Sequence, residues 1–235
     1  MIKAVIFDMF ETLVTHYESP LYMGKQIAND IGIAEQKFRE IWDTTDDDRT
    51  LGKMTFEEVI EKSLKVNDRY SAELFQKIID KRKLSKVECF KHIHPDIIPM
   101  FKELKEQNIM IGLITNCYYE ESDVIKDSIF YGLFDTVCMS CELGMKKPEI
   151  GIFQKCIKDL GVMPEECFYI GDGGSYELET ALALGMHPMQ AVWYLKDGVN
   201  HPSKRKAGFL HAEVPFDVIS QVKKYNHCSS NKINK

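Results

Sequence analysis

The chain has 235 residues, 44% of them hydrophobic and 28% charged; that is enough for one large domain or a core with a smaller insert, and it excludes collagen-like, coiled-coil and disordered classes. Lys+Arg total 30 against Asp+Glu 36, a net charge of −6, which gives no help on a phosphate polymer and argues against nucleic acid as a partner. No apolar stretch approaches the roughly 20 residues of a membrane helix, an acid interrupts the first apolar run where a signal peptide would continue, and seven scattered cysteines point to reduced thiols in a cytoplasmic protein.

In chain order, the first element is a strand over residues 3–7, whose apolar run ends at Asp8. From 17 to 90 only helical patterns follow, with Ile31, Phe38, Ile41 and Trp42, then Phe56, Val59, Ile60 and Leu64, marking the faces of short helices. Ile97, Phe101 and Leu104 recur at helical spacing ahead of a second strand over 110–115. A third strand covers 136–140. Phe153, Cys156, Ile157 and Leu160 then describe a helix stopped by Gly161. Strands over 168–171 and 190–194 complete the alternation. Such alternation predicts an α/β fold, a Rossmann-like parallel sheet with helices on both faces. The organisation expected is a core over 1–16 and 91–225, an all-helical cap over 17–90, and a polar disordered tail over 226–235.

In open parallel sheets, chemistry gathers at the carboxyl ends of the strands. Those ends carry Asp8, then Thr115 and Asn116, then Lys146 and Lys147 before Pro148, and finally Asp172 followed by Glu177. A carboxylate of this kind can attack phosphorus and form an acyl phosphate. Magnesium held between Asp8 and Asp172 would offset repulsion between two anions, while a lysine and a hydroxyl hold the phosphate oxygens. The expected substrate is therefore a small anionic molecule.

The order Asp8, Thr115-Asn116, Lys147-Pro148, Gly171-Asp172 resembles the four motifs of the haloacid dehalogenase-like hydrolase superfamily, in the branch with a helical cap between its first two motifs. The resemblance implies Asp8 as nucleophile, Thr115 and Lys147 as phosphate holders with Asn116 beside them, Asp172 as magnesium ligand with Glu177 in support, and the Phe10 backbone carbonyl as a further ligand. Lys146 competes for the lysine role; Lys147 is preferred because it directly precedes Pro148.

Two positions depart from that pattern. The family's phosphatases carry a second acid where Phe10 stands, and losing a general acid costs about 10²–10⁴-fold. Glu11 is a neighbouring acid, but adjacent strand residues point to opposite faces. Glu177 stands where the family often has aspartate. An aromatic at position 10 also resembles the metal-independent 2-haloacid dehalogenases, which lack the acidic pair kept here at Asp172 and Glu177. The reading is a magnesium-dependent hydrolase. The alternatives are a low-turnover binding or regulatory protein and a halide-releasing enzyme. Arg49, beside the acidic run Asp46–Asp48 of the helical segment, is the candidate specificity contact. Cys138 and Cys141 have CxxC spacing, yet residues three apart on a strand face opposite ways, so packing is the expectation.

Overall fold

The computed structural model describes residues 1–195 and 203–233; residues 196–202 of the expected core and 234–235 of the expected tail lie outside them. Six parallel strands form one sheet in the order β3-β2-β1-β4-β5-β6. They are β1 Ala4–Phe7, β2 Met110–Thr115, β3 Thr136–Met139, β4 Cys167–Gly171, β5 His187–Ala191 and β6 Leu210–Ala212. All of β1 is buried, which is why its sequence is a continuous apolar run rather than an alternating one.

The pleat sorts that run onto two faces. Val5 and Phe7 join one apolar cluster, with Phe101 of α6 (Ile97–Glu106) and Val222 of α11 (Phe216–Ile233). Ala4 and Ile6 join the other, with Phe153 of α9 (Ile150–Leu160) and Leu178 of α10 (Glu177–Ala183). Phe7 and Phe101 meet with ring centroids 5.1 Å apart. Truncating a buried ring of this kind typically costs about 3–5 kcal/mol. Helix α9 ends where expected, at Gly161, whose φ of 66° is the left-handed conformation that glycine adopts without strain.

Between β1 and α6 lie α1 (Gly24–Ile31), α2 (Glu35–Thr44), α3 (Asp46–Thr50), α4 (Phe56–Val66) and α5 (Ala72–Cys89). These helices enclose a third apolar cluster built on Ile27, Phe38, Phe56, Ile60 and Ile78. Thr55 caps α4 with a reciprocal Glu58 bond, and Ser71 caps α5.

Three expectations shift. The strand expected over 190–194 begins earlier, at His187. Pro188 is tolerated there because pairing with β6 starts only at Met189. Its last residues leave the sheet: Trp193 Nε1 donates to the Thr12 carbonyl at 2.8 Å, and the Tyr194 hydroxyl donates to that of Leu13 at 3.3 Å. Strand β6 has three residues, too few to carry a sequence period. The polar segment from Asn226 continues α11 to Ile233 rather than forming a disordered tail, and the Asn226 side chain accepts a bond from the Ile2 amide at 2.6 Å. Among the described residues, no helix is long and apolar enough to cross a membrane.

Candidate active site

The central strand β1 pairs with β2 on one side and β4 on the other. This is the switch point at which ligands meet parallel sheets. Asp8 leaves β1 with its amide donating to the Ile170 carbonyl at 2.8 Å, so the carboxyl ends of β1 and β4 are held together. Carboxylate oxygens of Asp8, Asp172 and Glu177 lie within 4.8 Å of one another, and all three residues are buried.

Each carboxylate is positioned by the local backbone. Asp8 Oδ1 accepts from the Met9 amide at 2.8 Å. Asp172 accepts from the Gly174 amide at 3.0 Å and from the Ser203 hydroxyl. Glu177 accepts from the amides of Gly173 and Ser175, each at 2.7 Å, and so folds the loop ahead of its own helix. Gly173 has φ 89°, which favours glycine at this turn.

Lys147 Nζ lies 2.6 Å from Asp8 Oδ1 and is almost wholly buried. Asn116 clamps its backbone: Oδ1 accepts from the Lys147 amide at 2.8 Å, and Nδ2 donates to the Lys147 carbonyl at 3.0 Å. Both ends of the Asn116 amide are thus committed to Lys147. Lys146 points away and pairs with Asp47 of α3. Among the described residues, the buried Thr115 hydroxyl makes only a long contact, 3.5 Å, to the Asn116 carbonyl.

Three buried acids share one lysine, and the imbalance shows at Asp8, Asp172 and the lysine. Burial pushes the Asp8 carboxyl up to about 7; Lys147 opposes this, while Glu177 and Asp172 add to it. Asp172 is also raised, by burial first and then by Glu177. Burial alone would lower the Lys147 ammonium, but Asp8, Glu177 and Asp172 outweigh it and raise its pKa. An all-oxygen donor set with excess negative charge fits a hard divalent cation such as magnesium.

A cavity of about 230 Å³ opens on these groups, lined by Asp8, Phe10, Lys147 and Asp172 together with Glu11 and Ser175. The Phe10 ring is stacked on His16, centroids 4.6 Å apart. Glu11 sits at φ 57°, a strained conformation for a residue with a side chain. Its carboxylate accepts from the Thr15 hydroxyl at 2.5 Å and from the His16 amide at 3.0 Å. Burial would raise the Glu11 pKa, but the bonds from His16 and Thr15 outweigh it and lower it; an ionised carboxylate has no proton to give.

Arg49 does not line that cavity. It is fully buried, with its guanidinium 3.6 Å from the Trp42 ring centroid and 4.3 Å from that of Tyr118. A planar, weakly hydrated cation suits this aromatic sandwich, which explains why the expected substrate contact is buried instead. Cys138 and Cys141 fall in opposite apolar clusters, as residues three apart across a strand end must. Ser203 was not foreseen, since nothing in its surroundings distinguishes it. Gln190 carried a signal: it is a polar side chain in a buried strand, and it donates to the Asp172 carbonyl at 2.8 Å.

A glyceraldehyde 3-phosphate phosphatase from Methanopyrus kandleri is 33% identical over 95 residues, a match spanning 40% of this chain and 40% of that protein. The curated relatives are thus matched over about half of their length or less. The fold is that of a HAD phosphatase from Thermococcus onnurineus, with TM-score 0.64 at 19% identity, covering 94% of this chain and 98% of that one. It is also that of a HAD family enzyme from Bacteroides thetaiotaomicron in complex with magnesium and inorganic phosphate, with TM-score 0.63 at 20% identity, covering 85% and 97%. The family model for haloacid dehalogenase-like hydrolases matches residues 2–185. With the sheet order and the four strand ends described above, this chain belongs to the haloacid dehalogenase-like hydrolases.

Proposed function

We propose that the protein is a magnesium-dependent hydrolase of a small phosphorylated metabolite, working through a phosphorylated Asp8. The observation that carries this reading is the cluster of Asp8, Asp172 and Glu177 within 4.8 Å, with Lys147 at 2.6 Å from the nucleophile. Oδ1 of Asp8 is taken by the Met9 amide and Lys147, which leaves Oδ2 to attack. The Oδ2–P bond forms as the bridging P–O bond breaks, and water then cleaves the acyl phosphate and releases inorganic phosphate. Lys147 and the Thr115 hydroxyl hold the transferred group, and Asn116 fixes Lys147. Asp8, Asp172, Glu177 and the Phe10 carbonyl would hold the magnesium, which supplies charge neutralisation between nucleophile and substrate. The helical segment 17–90 acts as the cap that screens the reaction from bulk water.

Phe10 offers no proton to the leaving oxygen, so substrates whose leaving group departs as a stable anion are favoured. The acidic trio favours this reading over metal-free halide displacement. The test is release of phosphate from p-nitrophenyl phosphate with Mg²⁺ and with EDTA, in the parent protein and in Asp8→Asn. Turnover should require both the metal and Asp8; turnover indifferent to either would refute the reading.

A further inference from the structure

A second cavity, of about 310 Å³, lies beside the first, and Asn116 and Ser175 line both. It adds Asp46 and Thr50 of α3, Tyr118, Glu121 and Lys146. No aliphatic side chain is among them. At about 30 Å³ per water, the space suits a pentose or hexose ring.

The polar groups here divide into two kinds. The charged ones are already satisfied within the protein: Glu121 by Lys86 at 2.5 Å, Lys146 by Asp47, and Asp46 by the Tyr118 hydroxyl at 2.5 Å. The hydroxyls of Thr50 and Ser175 have no partner among the described residues. An aryl or alkyl group placed here would strip water from these groups without replacing its bonds. A second phosphate or carboxylate would find no uncommitted cation among the lining residues, and two acids, Asp46 and Glu121. A neutral molecule rich in hydroxyls satisfies the lining.

The first cavity adds a chemical restriction, because Phe10 lines it where a proton donor would serve. An ordinary alkoxide is then a poor leaving group, whereas an anomeric oxygen, stabilised by the ring oxygen on the same carbon, is a better one.

We infer that the substrate is the anomeric phosphate of a small sugar, a sugar 1-phosphate, with its ring hydroxyls read by Thr50 and Ser175. This rests on the phosphatase reading and sharpens it. Phosphorus goes to Asp8, the anomeric oxygen leaves as its anion and takes a proton from solvent, and water regenerates the carboxylate.

The experiment compares glucose 1-phosphate, glucose 6-phosphate, glycerol 3-phosphate and p-nitrophenyl phosphate with Mg²⁺ present. Glucose 1-phosphate should exceed glucose 6-phosphate in kcat/KM by about 10²-fold, the smaller end of a general-acid effect, and should have a lower KM than p-nitrophenyl phosphate. Thr50→Val and Ser175→Ala should each lower the ratio of kcat/KM for glucose 1-phosphate to that for p-nitrophenyl phosphate by about tenfold. Equal efficiency on the two glucose phosphates, or a ratio that neither variant moves, overturns the inference while Asp8-dependent p-nitrophenyl phosphate turnover leaves the phosphatase reading standing. No Mg²⁺-dependent phosphate release from any of the four removes both.

Discussion

The Lys147 ammonium lies 2.6 Å from Oδ1 of Asp8, and both residues are buried. This pair joins the end of β1 to the loop after α8 (Ser140–Leu143), and Asn116 at the end of β2 holds the lysine by its own peptide groups. Lys147→Met should lower kcat on a phosphate ester by about 10²–10³-fold, the usual loss for one preorganised charge-stabilising donor. Asn116→Ala acts through Lys147 and should cost less, with KM and kcat both moving. Steady-state kinetics on variants whose circular dichroism matches the parent would decide; parent-like kcat in Lys147→Met would remove the lysine from the reaction.

Phe10 is the residue at which this site departs most from a phosphatase with an acid at that position. Its ring stacks on His16, lies edge-on to Phe90 at 6.4 Å and faces the Lys86 ammonium at 5.5 Å. Phe10→Asp should raise turnover of glycerol 3-phosphate by up to about 10²-fold and lower thermal stability, because the stack is lost. Unchanged turnover in a folded variant would show that proton donation does not limit the rate.

The sheet was legible because buried parallel strands read as apolar runs: β1, β2 and β4 fall where Val5-Ile6-Phe7, Ile111 to Ile114 and Phe168 to Ile170 put them. The strand ends named Asp8, Thr115, Lys147, Asp172 and Glu177 for the same reason. What could not be read was everything set by contacts distant in sequence. The strand expected over 190–194 runs too far because the structure turns Trp193 and Tyr194 onto the loop at Thr12 and Leu13. Arg49 reads as a specificity contact because its packing between Trp42 and Tyr118 is encoded by no local pattern. Ser203 meets Asp172 across 31 residues, and a lone serine carries no sign of that.

In the proposed mechanism, metal and proton would compete for Asp8. Its carboxyl is raised from 3.8 to about 7, by burial above all. Between those values the folded chain holds a proton that the unfolded chain has lost. The contribution to stability is therefore full below 3.8 and is lost as pH rises through about 7. Magnesium binding has the opposite slope, because it needs the ionised form. The rise in melting temperature on adding Mg²⁺ should be small near pH 5.5 and should grow up to about pH 8. An equal rise at both ends would exclude Asp8 from the metal site.

Behind Phe10 a buried chain of charges links the loop after β1 to the helical segment. The Lys86 ammonium of α5 donates to His16 Nε2 at 2.8 Å and pairs with Glu121 at 2.5 Å. Arg82 pairs with Glu120 at 3.1 Å and lies 3.6 Å from Glu121. Burial would raise the Glu121 carboxyl, but Lys86 first and then Arg82 hold it down to about 2, against 4.5 in an unstructured chain. Its contribution is present above pH 4.5 and is lost as pH falls toward 2. Glu121→Gln leaves the buried Lys86 ammonium without its carboxylate partner, while Arg82 keeps Glu120, and should cost about 3–5 kcal/mol at neutral pH. It should also flatten the decline in stability on the acid side. Urea unfolding followed from neutral pH down to the acid transition measures both effects. An acid limb as steep in Glu121→Gln as in the parent would show that this carboxylate does not anchor the helical segment to the loop that carries Phe10.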